Sequence, residues 1–315
     1  MTTPMTHPTF PAPRSTDIAL SVRTHERAGD RRVDEEWLAG AWADPRTRAV
    51  PLAMSRFPVS EAGDAVLWRR PGDLSEAGAR LFLGLRDEVA HFAVLVEPTD
   101  EDPPGEEPSG AERWTSLRGA LQTLPEPDAG FMVHAVALAE WHAAHRFCPR
   151  CGGRLRVTDA GHVLTCERCE RQQFPRSDPA VIMMVIDGDR ALLGRQPSWP
   201  EGRYSTLAGF VEPGESLEEA VVREVAEETG VEVTDVTYFG NQPWPFPQSL
   251  MVGFFARAVT THITVDGDEI SDARWFTREE MRSGAQAGSL VLPSGISISR
   301  SLVEAWYGGP LPGSW

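Results

Sequence analysis

GFVEPGESLEEAVVREVAEETGV, residues 209–231, is the stretch around which the rest of the chain is organised. Its fixed points are Gly209, Glu215, Arg223-Glu224-Val225, Glu227-Glu228 and Gly230-Val231. Pro213-Gly214 is a turn signal. Ser216 followed by Glu219 has the spacing of a capping box, in which the serine oxygen accepts from an early helix amide and the glutamate reaches back to the cap. Alanine, valine and glutamate then run unbroken to Gly230, which suits the position just past a helix end. A helix is therefore expected over 216–229. At 3.6 residues per turn, Glu224, Glu227 and Glu228 fall within an arc of about 100°. Leu217, Ala220 and Val221 lie on the same side one or two turns earlier, so that half can bury. Carboxylates crowded on one face repel one another by roughly 0.2–0.5 kcal/mol per neighbouring pair. A divalent cation removes that cost, and hard oxygen ligands with room left for water and phosphate suit Mg²⁺ or Mn²⁺. Arg223 neighbours the cluster and can orient a glutamate through a charge-assisted hydrogen bond. A merely solvated acidic helix face would leave the coincidence of cap, glycine loop and spacing without a reason.

With every fixed position filled, the stretch resembles the Nudix box, the signature of hydrolases that cut a nucleoside diphosphate linked to another group. The 315 residues suggest two or three domains, and 41% hydrophobic residues can furnish real cores. Mean hydropathy is −0.29, and no apolar run approaches a membrane span. The opening MTTPMTHPTFPAPRSTD lacks a signal-peptide core, so a cytoplasmic protein is expected. The formal charge of −16 argues against broad binding to a nucleic-acid backbone, though not against recognition of one nucleotide at an RNA end.

Upstream of the box, residues 1–16 read as a disordered Pro/Thr-rich tail. Residues 17–130 read as an N-terminal α+β domain without a catalytic motif, with strands at 65–68, 79–85 and 89–96 and a short helix over 117–124. Within it, 97–112 (EPTDEDPPGEEPSGAE) reads as an acidic solvated loop. Residues 131–176 read as a helix followed by a metal-binding ribbon. The helical histidines His134, His142 and His145 are taken as packing residues, because the cysteines downstream already complete a site. Cys148, Cys151, Cys166 and Cys169 are all the cysteines of the chain, in two CxxC pairs with 14 residues between them. In a chain without a secretory signal this spacing favours one structural Zn²⁺ over disulfides. Gly152-Gly153 permits a tight turn after the first pair, and 154–164 should form a hairpin.

Residues 177–309 read as the catalytic domain. AVIMMVI, 180–186, fits a buried strand. Asp187-Gly188 marks a hairpin into 190–195, and 204–210 leads into the box. Strands follow at 232–238, 250–259 and 273–276, then helices at 277–283 and 297–307. The fold class is α+β: an N-terminal mixed α/β domain, a Cys₄ zinc ribbon and a C-terminal Nudix α/β/α sandwich.

Between two of these strands stands Gln242-Pro243-Trp244-Pro245-Phe246-Pro247-Gln248-Ser249. Three prolines in five residues are read as a stiff loop, not a regular strand. It presents Trp244 and Phe246 as a stacking platform, worth about 1–3 kcal/mol per base, with Gln242, Gln248 and Ser249 as hydrogen-bonding groups. An aromatic structural turn is the alternative. A QPWPFPxS segment a dozen residues beyond a Nudix box resembles the NADH pyrophosphatase, or NudC, family, whose members are also NAD-capped RNA hydrolases. The likeness runs from the region of Trp141 through the ribbon, the box and the loop to the last helix.

The resemblance implies the following. The four cysteines hold zinc. Glu224, Glu227, Glu228 and Glu269, with the Ala208 carbonyl, bind two or more Mg²⁺ or Mn²⁺ ions. Glu227 or Glu228 takes the proton of the attacking water, and Arg223 positions a glutamate. Phe210 stacks on nicotinamide, and Gln242 to Ser249 recognises substrate. The reaction splits the pyrophosphate of NADH or NAD⁺ into the nicotinamide mononucleotide and AMP, and removes a 5′ NAD cap from RNA. Members are homodimers. The chain departs from the family at Asn241, where serine is common, at Phe174, where a substrate-contacting tyrosine is frequent, and at Ser299, where a small alanine lies near substrate. Two other readings are a Nudix hydrolase of ADP-ribose or another dinucleotide, and a zinc-ribbon protein that senses nucleotides or binds RNA without turnover.

Overall fold

The computed structural model describes residues 18–74, 78–96, 112–265 and 267–313. The expected tail, 1–16, and all of the acidic segment but Glu112 lie outside the described residues. The chain divides into two compact units. One comprises 178–243 and 249–313 together with 18–22; the other comprises 23–177 together with 244–248. Among the described residues no helix is long and apolar enough to cross a membrane.

In the unit that starts at Arg23, α1 (Glu35–Ala43) precedes β1 (Arg48–Leu52) and β2 (Arg56–Ser60). Then come β3 (Arg80–Arg86), β4 (Val89–Leu95), β5 (Glu112–Ser116), α2 (Leu117–Ala120) and α3 (Glu126–Ala144). β1, β4 and β3 form one sheet in that order, with β1 and β4 parallel, and β2 pairs with β5. The expected strand at 65–68 is not one: Val66 makes a single bridge to Val59. β1, β2, β5 and α1 escaped the sequence reading. Their apolar runs are short, and β2 and β5 are paired across more than fifty positions of chain, a partnership that local patterning does not announce. α3 starts five residues earlier than expected and is buried on most of its circumference, from Ala129 to Trp141. The ribbon follows, with β6 (Leu155–Thr158), β7 (Val163–Cys166) and β8 (Gln172–Gln173) in one small antiparallel sheet.

The other unit contains β9 (Asp178–Asp187), β10 (Arg190–Arg195), β11 (Leu207–Phe210), α4 (Leu217–Thr229), β12 (Val233–Trp244), β13 (Ser249–Ala258), β14 (Asp272–Thr277), α5 (Arg278–Ala287) and α6 (Ile298–Tyr307). The sheet order is β12-β13-β9-β10-β14, with β11 also paired to β9. The almost wholly apolar run in β9 is explained by burial on both faces. Ile182, Met184 and Ile186 point into the layer that holds Met281 of α5 and Leu302, Val303 and Trp306 of α6. Val181, Met183 and Val185 point into the layer that holds Ala220, Val221 and Val225 of α4. Each such side chain contributes roughly 1.5–3 kcal/mol on burial. This is the α/β/α sandwich expected from the sequence. Ile18 joins the α6 layer and is 2% exposed.

The proline-rich segment corrects one expectation. β12 continues through Gln242 and Pro243 to Trp244. It is tolerated because β12 is the last strand at one edge of the sheet, where a missing N–H breaks no ladder on the outer side. The following residues, 245–248, make a turn.

Candidate active site

α4 places the box residues. Its start is fixed by the capping box: Glu219 N donates to Ser216 Oγ at 3.2 Å, and Ser216 N donates to a Glu219 carboxylate oxygen at 3.1 Å. Gly230 ends it with φ 68°. Ala220, Val221 and Val225 pin one side of the helix to the sheet. That side carries Glu224 and Glu228 inward, 8% and 5% exposed. Carboxylate oxygens of Glu224, Glu228 and Glu269 lie within 4.8 Å of one another. Glu269 reaches the cluster from the segment ahead of β14, in neither strand nor helix.

Arg223 organises the rim. Nε and Nη2 donate to the two oxygens of Glu215 at 2.8 and 2.9 Å. Nη1 donates to Glu224 at 2.9 Å and to Glu227 at 3.0 Å, and Nη2 also donates to the Phe210 carbonyl at 2.9 Å. Hydrogen bonds from Arg223, with one from the Glu212 amide, hold the Glu215 carboxyl down at about 2. Burial pushes the Glu224 carboxyl up, Arg223 opposes this, and the neighbouring Glu227 and Glu269 add to the rise. Gly209 is required here for space: a Cβ on it would lie 1.9–2.2 Å from the Glu224 carboxyl atoms.

The cluster opens into a cavity of about 640 Å³. Ala208, Phe210, Arg223, Glu227 and Ser249, all expected at the site, line it alongside the three clustered glutamates. Ala180, Glu212 and Met251 also line it and were missed; Glu212 sits inside the box motif, but the other two are ordinary strand residues with no chemical signal. Phe210 is 60% exposed, a free ring at the rim. Glu227 differs from expectation, since its side chain is 62% exposed and it stands outside the three-carboxylate cluster, held by Arg223.

Other expected substrate residues are not among those that line this cavity. Gln242 is 1% exposed. Its amide nitrogen donates to the carbonyls of Ala19 and Ile296 at 2.8 and 2.7 Å, and its oxygen accepts from Ile298 N at 2.9 Å. Its hydrogen-bonding groups are used within the fold, where it braces the strand end. Ser299 is also 1% exposed, its hydroxyl enclosed by those of Ser205 and Thr206 at 2.9 and 2.8 Å. Asn241 donates to the Tyr238 hydroxyl at 2.7 Å. Trp244, Pro245, Phe246, Pro247 and Gln248 group with the unit that holds 23–177, as does Phe174, which is 61% exposed. Trp244 and Phe246 meet edge to face at 5.0 Å, and the Arg118 guanidinium lies 4.5 Å over the Phe246 ring. Pro243 is the strand residue described above.

Both metal expectations can be tested against the donor atoms. Sulfur separations of 3.8 Å (Cys148–Cys169), 3.5 Å (Cys151–Cys166) and 3.5 Å (Cys151–Cys169) match the edges of a tetrahedron, which for Zn–S bonds of about 2.3 Å are about 3.8 Å long. The four thiols fit a closed zinc site. At the other site three carboxylates, two of them buried, offer only oxygen, which fits a hard divalent cation. The helical histidines pack: His142 Nε2 bonds the Gly161 carbonyl at 2.8 Å, and His145 Nδ1 bonds the Trp141 carbonyl at 2.9 Å.

Three family models match in succession: an NADH pyrophosphatase-like rudimentary NUDIX domain over 41–141, an NADH pyrophosphatase zinc ribbon domain over 143–174 and a NUDIX domain over 176–293. The chain is 38% identical to the NAD-capped RNA hydrolase NudC of Mycobacterium bovis over 89% of this chain and 92% of that protein. The chain belongs to the NudC family of Nudix hydrolases. It is also 35% identical to the NAD-capped RNA hydrolase NUDT12 of Macaca fascicularis, over 89% of this chain and 71% of that protein. A crystal structure of a NUDIX hydrolase from Nitrosomonas europaea aligns with 21% identity and a TM-score of 0.42, over 53% of this chain and 96% of that one. Within the NudC family architecture, the carboxylate cluster falls in the NUDIX domain and the four thiols in the zinc ribbon.

Proposed function

We propose that the protein hydrolyses the pyrophosphate of NADH and NAD⁺ to the nicotinamide mononucleotide and AMP, and removes the NAD cap from the 5′ end of RNA, leaving a 5′-monophosphate. The observation that carries this reading is the Glu224–Glu228–Glu269 cluster, its first two members buried, in a cavity also lined by the exposed Phe210 ring, in a chain of the NudC family. Bound by those carboxylates, Mg²⁺ or Mn²⁺ would neutralise the diphosphate and lower the pKa of water. Glu227 or Glu228 takes the proton of the attacking water. As the water oxygen bonds to phosphorus, the bridging P–O bond breaks and the leaving phosphate keeps the electron pair. Arg223 holds Glu224 and Glu227 in place while Glu215 anchors it. Phe210 supplies a face for a flat ring such as nicotinamide. The zinc ribbon, a closed Cys₄ site, is structural. We further assign the protein to the cytoplasm and to a homodimer, the latter checked by light scattering.

Product analysis tests the reading. Purified protein is incubated with NADH, NAD⁺ or ADP-ribose and Mg²⁺ or Mn²⁺, and the nucleotides are resolved by chromatography. AMP with reduced nicotinamide mononucleotide from NADH is the expected result. Turnover of ADP-ribose alone would discard the nicotinamide assignment and keep the Nudix chemistry. Binding without turnover of any of them would overturn the enzymatic reading.

A further inference from the structure

The catalytic reading makes no use of the outer surface of the zinc ribbon. Residues 146–176 hold seven arginines against Asp159, Glu167 and Glu170, a formal +4 within a chain of −16. Four thiolates on one Zn²⁺ would subtract two and leave the ribbon positive. All seven arginines are exposed. Among the described residues, Arg146, Arg150, Arg154, Arg156 and Arg171 enter no salt bridge, whereas arginines elsewhere, such as Arg46, Arg257 and Arg300, are paired. Like charges gathered on so small a module repel one another and do not stabilise it.

Exposed apolar groups stand among these charges. Phe147 is 57% exposed, Phe174 61% and Val157 41%. Phe147 is bridged antiparallel to Arg154, and Leu155 N donates to the Arg146 carbonyl at 3.2 Å. Arg154, bridged just ahead of β6, and Arg156 within β6 stand two residues apart in extended backbone and so project to one side. Guanidinium groups without carboxylate partners, interleaved with open phenyl rings, suit a flexible polyanion that carries flat, unpaired rings. Phosphates meet arginine and bases stack on phenylalanine. A broad anionic membrane would also confront the rest of a chain of −16, while a single nucleic-acid strand can meet the ribbon alone.

We propose that the exposed arginines of the zinc ribbon bind the single-stranded RNA that follows the NAD cap. The proposal rests on the capped-RNA reading above and assigns the ribbon a role beyond holding zinc. Its test is the full-length triple variant Arg146→Ala/Arg154→Ala/Arg156→Ala. Arg150 and Arg168 are left in place, since they stand inside the two CxxC knuckles. Zinc content and thermal midpoint are measured first, to show that the ribbon is intact. Two readouts follow: fluorescence anisotropy with a short labelled single-stranded RNA lacking a cap, and turnover of NADH.

The expected result is RNA binding weakened about tenfold or more at low salt, with the slope of log affinity against log salt reduced by about 2, since each single-strand phosphate contact contributes about 0.7. NADH turnover should remain at the wild-type level, and Arg→Lys at the same three positions should restore most of the binding, because phosphate contacts need charge more than fork geometry. RNA binding unchanged in the alanine variant, or absent from the wild type, overturns the proposal. RNA binding that falls in the variant while the wild type fails to turn over NADH leaves the ribbon assignment standing and sinks the catalytic one.

Discussion

Arg223 has five N–H groups, and five acceptors meet them: two oxygens of Glu215, one each of Glu224 and Glu227, and the Phe210 carbonyl. A residue bound on every donor is a fixed strut, and it sets the positions of the carboxylates around it. The box glutamates are then separated by burial. Glu228 is 5% exposed and lies in the three-carboxylate cluster, while Glu227 sits at the exposed rim. Glu228→Gln removes a charge from the cluster without changing shape. We expect turnover of NADH to fall by about a hundredfold or more with the thermal midpoint kept, and Glu227→Gln to cost less. Steady-state kinetics beside thermal melts check this, and equal losses in the two variants would contradict the division drawn from burial.

At the scale of elements, α4 and β11 meet closely enough to exclude a methyl group at Gly209. In Gly209→Ala the new Cβ would stand 1.9–2.2 Å from the Glu224 carboxyl, which must swing away. Because β11 still pairs with β9 and α4 still packs on the sheet, the fold should persist while Mn²⁺ activation weakens about tenfold, with a cost to stability of about 1–3 kcal/mol from overpacking. A metal titration of activity in this variant that overlays the wild-type curve would show that Glu224 is not held by this contact. The same scale shows why a helix was legible and a strand end was not. The cap, the apolar side and the terminating glycine of α4 are all local, whereas β12 tolerates Pro243 because of where it stands in the sheet.

In the unit spanning 23–177, buried histidines form a row, stacked from His91 to His134 and tilted at His162. His91 and His25 lie 4.3 and 4.0 Å from the Phe131 ring, His25 is 5.8 Å from His134, and His134 is 5.2 Å from His162. Burial is the chief cause that lowers His25, His91 and His162 to about 4 from 6.5. Arg27 adds to this at His25 and His162, Arg86 adds to it at His91, and Asp128 opposes it there. His134 is likewise lowered well below its ordinary value, chiefly by burial, with Arg27 and Arg32 adding to it. Folding keeps these rings neutral, so the unfolded chain binds more protons below 6.5. The stability they contribute is full above pH 6.5 and is lost as the pH falls toward 4. Thermal midpoints measured from pH 7.5 to 5 should drop, and the drop should be shallower in His25→Phe/His91→Phe. The same slope in both proteins would rule these rings out as the cause.

Much was readable in consecutive residues. The box helix with its caps, the two CxxC pairs and the buried strand at 180–186 follow from spacings within one turn, one knuckle or one strand, where the interacting groups are close in the chain, while the α/β/α sandwich was implied by the likeness to the Nudix family. The three-dimensional arrangement decided what depends on distant partners. It brought Glu269 to Glu224 and Glu228 and left Glu227 at the rim. It turned Gln242 into a brace through a bond to Ala19, 223 positions away, and enclosed Ser299 against Ser205 and Thr206. A motif states which chemical groups are present. Whether each faces a cavity or a backbone carbonyl depends on burial and on hydrogen bonds between segments far apart in sequence, which local spacing does not encode.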